Sequence, residues 1–141
     1  MKNTVFEKYR DMHRGQRVFL IGNGPSLADT DLDLLENEVT IAMNRVSLIY
    51  PKNPRWRPTY YLFSSTNVRH PVWGSAWQSS VREAVSCEGT TSFIARMFKQ
   101  YIDPTGEYPQ IQWFDSMSEQ KPAMSGDISP NSFSTNIIYR I

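Results

Sequence analysis

The ten residues Val18-Phe19-Leu20-Ile21-Gly22-Asn23-Gly24-Pro25-Ser26-Leu27 decide the fold. Four apolar residues in an unbroken run predict a strand covered on both faces, the habit of parallel sheets. The break that follows, residues 22–26, brings two glycines, an amide side chain, a hydroxyl and a proline into one turn. A glycine-rich bend between a strand and a helix lets the backbone approach a phosphate, whose charge is met by free amides and the helix dipole. The stretch therefore predicts a buried strand feeding an anion-binding turn. A tight turn that only reverses the chain is the plainer reading of the same residues.

Working outward, residues 29–35 read as a short helix and residues 39–43, Val-Thr-Ile-Ala-Met, as a second buried strand. Strand, turn, helix and strand in this order make a βαβ unit with a right-handed crossover. Upstream, Val5, Phe6, Tyr9 and Met12 are spaced three or four apart, which predicts a short amphipathic helix within residues 1–16, ending near Gly15. Downstream, Pro51, Pro54 and Pro58 mark an extended connection into a third strand, residues 59–63. Residues 73–85 suit a helix. Residues 92–95 suit a fourth strand, and residues 91–97 also read as strand running into helix. The turn signal Asp103-Pro104-Thr105-Gly106 precedes a fifth strand at residues 111–114. Residues 116–134 lack periodicity and read as a long loop, and residues 133–141 as the opening of a helix. The expected architecture is α/β and Rossmann-like, a mostly parallel sheet of about five strands flanked by helices, in a single domain.

Composition narrows the partners. The 141 residues are 40% hydrophobic and 21% charged, ordinary for a folded globular chain. Such a chain buries roughly two thirds of the surface its unfolded form exposes. Fifteen basic and fourteen acidic residues leave a formal charge of +1, so no global field gathers nucleic acid or an anionic membrane. Any partner must be recognised locally. Arg55, Arg57, Arg69 and His70, with Trp56 and Trp73, form a mild basic cluster able to stack on a nucleotide; the alternative is a loop whose tryptophans cover the core. Cys87 is the only cysteine, which excludes an intrachain disulfide and a multi-cysteine metal site and makes a reducing, cytoplasmic setting the default. No apolar run approaches the roughly 18 residues of a membrane span, and the N-terminus lacks the apolar core of a signal peptide. Asp29, Asp31 and Asp33 read as favourable charge at a helix start; their spacing is not that of a calcium loop, and no metal site is expected.

The turn is not a Walker motif, since no Gly-Lys-Ser/Thr follows, and it fails the dinucleotide fingerprint, since Pro25-Ser26-Leu27 stands where a third glycine is required. The whole string Ile21-Gly22-Asn23-Gly24-Pro25-Ser26-Leu27 instead resembles the opening motif of two related groups. One is the bacterial lipooligosaccharide sialyltransferases. The other is the proteins similar to archaeal hydroxymethylpterin diphosphokinase, including motility-associated glycosyltransferase-like proteins. The likeness continues into Ala42-Met43-Asn44-Arg45 and, more weakly, Pro58-Thr59-Tyr60-Tyr61-Leu62, covering residues 17 to about 66. It implies that Gly22, Asn23, Gly24, Pro25, Ser26 and Asn44 contact the nucleotide of a cytidine-monophosphate sugar, or ATP. That nucleotide is a substrate, and no cofactor is implied. In the sialyltransferases the third strand also ends in an Asn that touches the donor; the matching region here is Ser64-Ser65-Thr66-Asn67, so that contact is displaced or replaced by hydroxyls, with Ser64 and Ser65 as the candidates.

Family members continue into a Ser/Thr-Gly segment and later catalytic His and Tyr residues, so the chain is expected to be the N-terminal part of a longer protein. His13 and His70 match none of those histidines, and no catalytic residue is assigned. Two functions of different class follow. The first is the nucleotide or nucleotide-sugar binding portion of a sialyltransferase-like glycosyltransferase or diphosphotransferase. The second is a non-catalytic α/β interaction module that self-associates into a homo-oligomer. A third reading, an enzyme whose catalytic groups come from residues 116–134 or from another subunit, lacks a nucleophile and base pair in that loop.

Overall fold

The computed structural model describes residues 4–115. The five apolar runs become five strands: β1 Val18–Ile21, β2 Val39–Met43, β3 Tyr60–Phe63, β4 Thr91–Ala95 and β5 Gln112–Phe114. They form one all-parallel sheet in chain order, each strand pairing with the next. Leu20 lies opposite Ile41, Ala42 opposite Tyr61, Leu62 opposite Phe93 and Ala95 opposite Phe114. The architecture is the expected α/β, Rossmann-like parallel sheet.

Alternate residues of a strand point to opposite faces, so this register assembles two apolar surfaces. One carries Tyr60, Phe93 and Phe114 and is covered by a 3₁₀ turn, Thr4–Tyr9. The Phe6 ring sits 5.0 Å from Phe93 and 5.7 Å from Phe114, and Tyr9 meets Phe93 edge-on. The other surface carries Phe63, which packs against Trp77 and Phe98 from the connections between strands. Trp77 belongs to α1, Gly74–Val85, the one long helix among the described residues. After β4 the chain passes through a 3₁₀ turn, Arg96–Phe98, into the short α2, Lys99–Ile102, so the reading of strand running into helix holds there.

Two expectations are corrected. β1 is not covered on both faces: Ile21 is buried, but Val18 is 42% and Leu20 53% exposed. The cause is strand order. β1 is the sheet edge, paired only with β2, and the covering rings of Phe6 and Tyr9 lie over β3, β4 and β5. The helices expected within residues 1–16 and over residues 29–35 are 3₁₀ turns, Thr4–Tyr9, Pro25–Asp29 and Leu32–Leu35. Thr30 and Asp31 are extended, which splits the second segment in two, and the Asp31 carboxylate accepts from the Asp33 amide to start the next turn. Each piece is too short to close repeated α-helical hydrogen bonds. The loop and helix opening expected beyond residue 115 lie outside the described residues. No helix among those described is long and apolar enough to cross a membrane.

Candidate functional site

β1 and β2 end side by side, and the residues just past them meet. Asn23 donates its side-chain N–H to the Met43 carbonyl at 3.0 Å, tying the two strand ends together. Asn44 adopts φ 57°, the left-handed region that Asn tolerates better than most residues. Its backbone is held from β3: the Asn44 amide donates to the Leu62 carbonyl at 3.3 Å, and its carbonyl accepts from the Tyr61 hydroxyl at 2.5 Å. A conformation costly in isolation is thus fixed by the neighbouring strand. Among the described residues, the Asn44 side-chain amide has no hydrogen-bond partner. Burial pushes the Tyr61 hydroxyl well above its ordinary pKa, so it remains a proton donor to Asn44 far beyond neutral pH.

These strand ends open a cleft of about 390 Å³ lined by Asn23, Gly24, Pro25, Asn44, Arg45 and Trp77, with Leu27, Leu48 and Ile49 as apolar wall. That volume lies in the range of small-molecule sites, roughly 300–1,000 Å³. Its sides are fastened by buried Asn53, which accepts from the Leu32 amide at 2.6 Å and donates to the Ile49 carbonyl at 3.1 Å. Lys52 Nζ donates to the Ala28 carbonyl at the rim. Asp33 accepts from the amides of Arg55 and Trp56, so it fastens the connection and takes no part in the cleft.

Among the described residues, one charged side chain lines the cleft. The Arg45 guanidinium lies 5.7 Å from the Trp77 ring centroid, and its Nε is buried without a hydrogen-bond partner. Among the described residues, the lining contains no carboxylate, imidazole, hydroxyl or thiol, and offers amides, one cation and apolar contact.

Of the residues singled out in the sequence, Asn23, Gly24, Pro25 and Asn44 come together here. Gly22 lines a neighbouring apolar cleft with Phe19, Leu27 and Leu35. Ser26 is exposed, and its carbonyl accepts from the Thr30 hydroxyl. Ser64 is exposed, and Ser65 accepts from the Asn67 amide at 3.3 Å, capping the 3₁₀ turn Thr66–Arg69; neither serine lines the cleft. The dipole expected behind the turn is also missing. Pro25–Asp29 is a 3₁₀ turn of five residues whose first residue has no N–H, so positive charge comes from Arg45 instead.

Arg45 and Trp77 were not candidates in the sequence. Arg45 follows Asn44 directly and sits in the quoted likeness, whereas Trp77 reads only as part of a helix face and reaches the cleft through tertiary packing. The basic cluster divides. Trp56 is fully buried, a core residue, while Arg55 pairs with Asp33 and Glu36, and Arg57 lies over Tyr50. His70 stacks on half-exposed Trp73 with ring centroids 3.2 Å apart, and His13 Nε2 lies 2.6 Å from the Tyr60 hydroxyl on the opposite face of the sheet; neither histidine lines the cleft.

No protein-family model, curated protein or solved structure matches the chain.

Proposed function

We propose that the cleft above β1 and β2 binds a nucleotide, either the nucleotide-sugar donor of a sialyltransferase-like glycosyltransferase or the nucleotide substrate of a diphosphotransferase. The observation that carries this reading is the convergence of Asn23, Gly24, Pro25 and Asn44, from two separate strand ends, on one cleft. Gly24 supports it. Its φ is not positive, and a Cβ there would meet nothing closer than the Ser26 hydroxyl at 3.9 Å. The fold therefore does not require glycine there, whereas close approach of a ligand to the backbone does. Neutral amides suit ribose and phosphate oxygens because they donate and accept without changing charge.

Calorimetric titration with CMP, CDP, ATP and GTP tests the proposal. Saturable binding of at least one at or below millimolar concentration is expected. Silence from all four at millimolar concentration overturns it.

A second reading, self-association, draws on β1. An edge strand presents unpaired backbone groups, and here it also exposes Val18 and Leu20. Sedimentation should then show a concentration-dependent dimer that Leu20→Lys abolishes; a clean monomer at high concentration removes this reading.

A further inference from the structure

Among the described residues, every arginine but one is spoken for. Arg10, Arg14, Arg17, Arg55 and Arg96 pair with carboxylates. Arg57, Arg69 and Arg82 donate to backbone carbonyls. Arg45 alone among the described arginines has neither, although its Nε is buried. Placing a cation in a partly dry site without an anion is unfavourable, because hydration is lost and nothing replaces it.

Its surroundings say what would replace it. The guanidinium carbon lies 5.7 Å from the Trp77 ring centroid, within cation–π range, and both side chains line the cleft. A guanidinium presents a planar fork of donors that matches the oxygens of a phosphoryl group two at a time. Among the described residues, no acidic side chain shares the lining to compete for the cation or repel an anion. Beside it stands Asn44, whose amide is likewise uncommitted, and Lys52 adds a second positive charge at the rim through its contact with Ala28.

We infer that Arg45 is the anion-binding residue of the cleft and takes the phosphoryl group of a phosphorylated ligand. The inference rests on the nucleotide reading only for the identity of the rest of that ligand. It moves the phosphate site from the amides of the glycine turn to the second residue after β2.

The test is calorimetry with CMP, cytidine and inorganic pyrophosphate on the wild-type chain, Arg45→Gln and Arg45→Lys, with circular dichroism melts confirming that each variant folds. CMP affinity should fall about tenfold or more in Arg45→Gln, consistent with loss of a charge-assisted pair. Arg45→Lys, which keeps the charge but not the fork, should fall in between, and cytidine affinity should not change. CMP bound equally well by wild type and Arg45→Gln overturns the inference and leaves the nucleotide reading standing. Pyrophosphate bound in an Arg45-dependent way, with cytidine and CMP, CDP, ATP and GTP all silent, supports the inference and overturns the nucleotide reading. No binding of pyrophosphate or of any of the four nucleotides overturns both.

Discussion

The carboxyl ends of β1 and β2 and the carboxyl end of β3 carry similar residues, amides and hydroxyls just past an apolar strand, yet they are put to different use. Beyond β3, the Ser65 hydroxyl is taken by the Asn67 amide, Val68 is buried, and Gly74 brings α1 down so tightly that an added Cβ would lie 2.7 Å from the Val68 carbonyl oxygen. Polar side chains there finish the fold. Beyond β2, the backbone of Asn44 is satisfied by Leu62 and Tyr61, which leaves its side chain and the Arg45 guanidinium uncommitted beside a cleft. Where other strands supply the backbone's partners, the side chains at a strand end are not consumed locally and stay available to a ligand.

This contrast can be broken at either end. Alkaline pH should act beneath the cleft and have the largest effect. Burial raises Tyr61 well above the ordinary value of 10.0, and burial together with the nearby Cys87 thiol raises Tyr50. In the unfolded chain both ionise near the ordinary value, whereas in the folded chain they stay protonated. Their contribution to stability is therefore fully present below about pH 10 and is lost as pH rises past it toward the raised values. The melting temperature should drop steeply above that pH; a flat profile between about pH 9 and 11 would contradict the assignment.

Gly74→Ala attacks the β3 side. Its Cβ would press on backbone that cannot swing aside, so a loss of about 2–3 kcal/mol is expected in denaturant unfolding, with CMP affinity unchanged in the fraction that remains folded. Tyr61→Phe attacks the cleft. It leaves the Asn44 carbonyl without its hydroxyl donor, which should cost about 1–2 kcal/mol and weaken CMP binding several-fold as the left-handed backbone relaxes. Ser65→Ala removes only a cap, worth about 0.5–1 kcal/mol, and nucleotide titration should not notice it. Weaker CMP binding in Ser65→Ala would mean that the β3 end belongs to the site after all.

The strands were legible because each is a short apolar run set between turn residues, a signal that needs only local sequence. Exposure of Val18 and Leu20 was not, since it depends on β1 lying at the edge, a property of strand order and not of the strand. The 3₁₀ character of residues 25–35 depends on two extended residues, Thr30 and Asp31, between pieces that an averaged periodicity joins. Within the site, Asn23, Gly24, Pro25 and Asn44 stood out because their types are unusual at the end of an apolar run. Ser64 and Ser65 satisfied the same criterion, but whether a hydroxyl caps its own turn is settled by loop geometry. Trp77 meets Arg45 only because α1 packs across the sheet, so no spacing in the chain announces the pair.

Where a nucleotide sits decides between the two strand ends. The direct measurement is a CMP titration of the isotope-labelled chain followed by amide and indole chemical shifts. The expected shifts gather at Asn23, Gly24, Asn44, Arg45 and the Trp77 indole, while residues 64–67 stay in place. Shifts that gather at residues 64–67, or elsewhere on the surface with the first group silent, would contradict it.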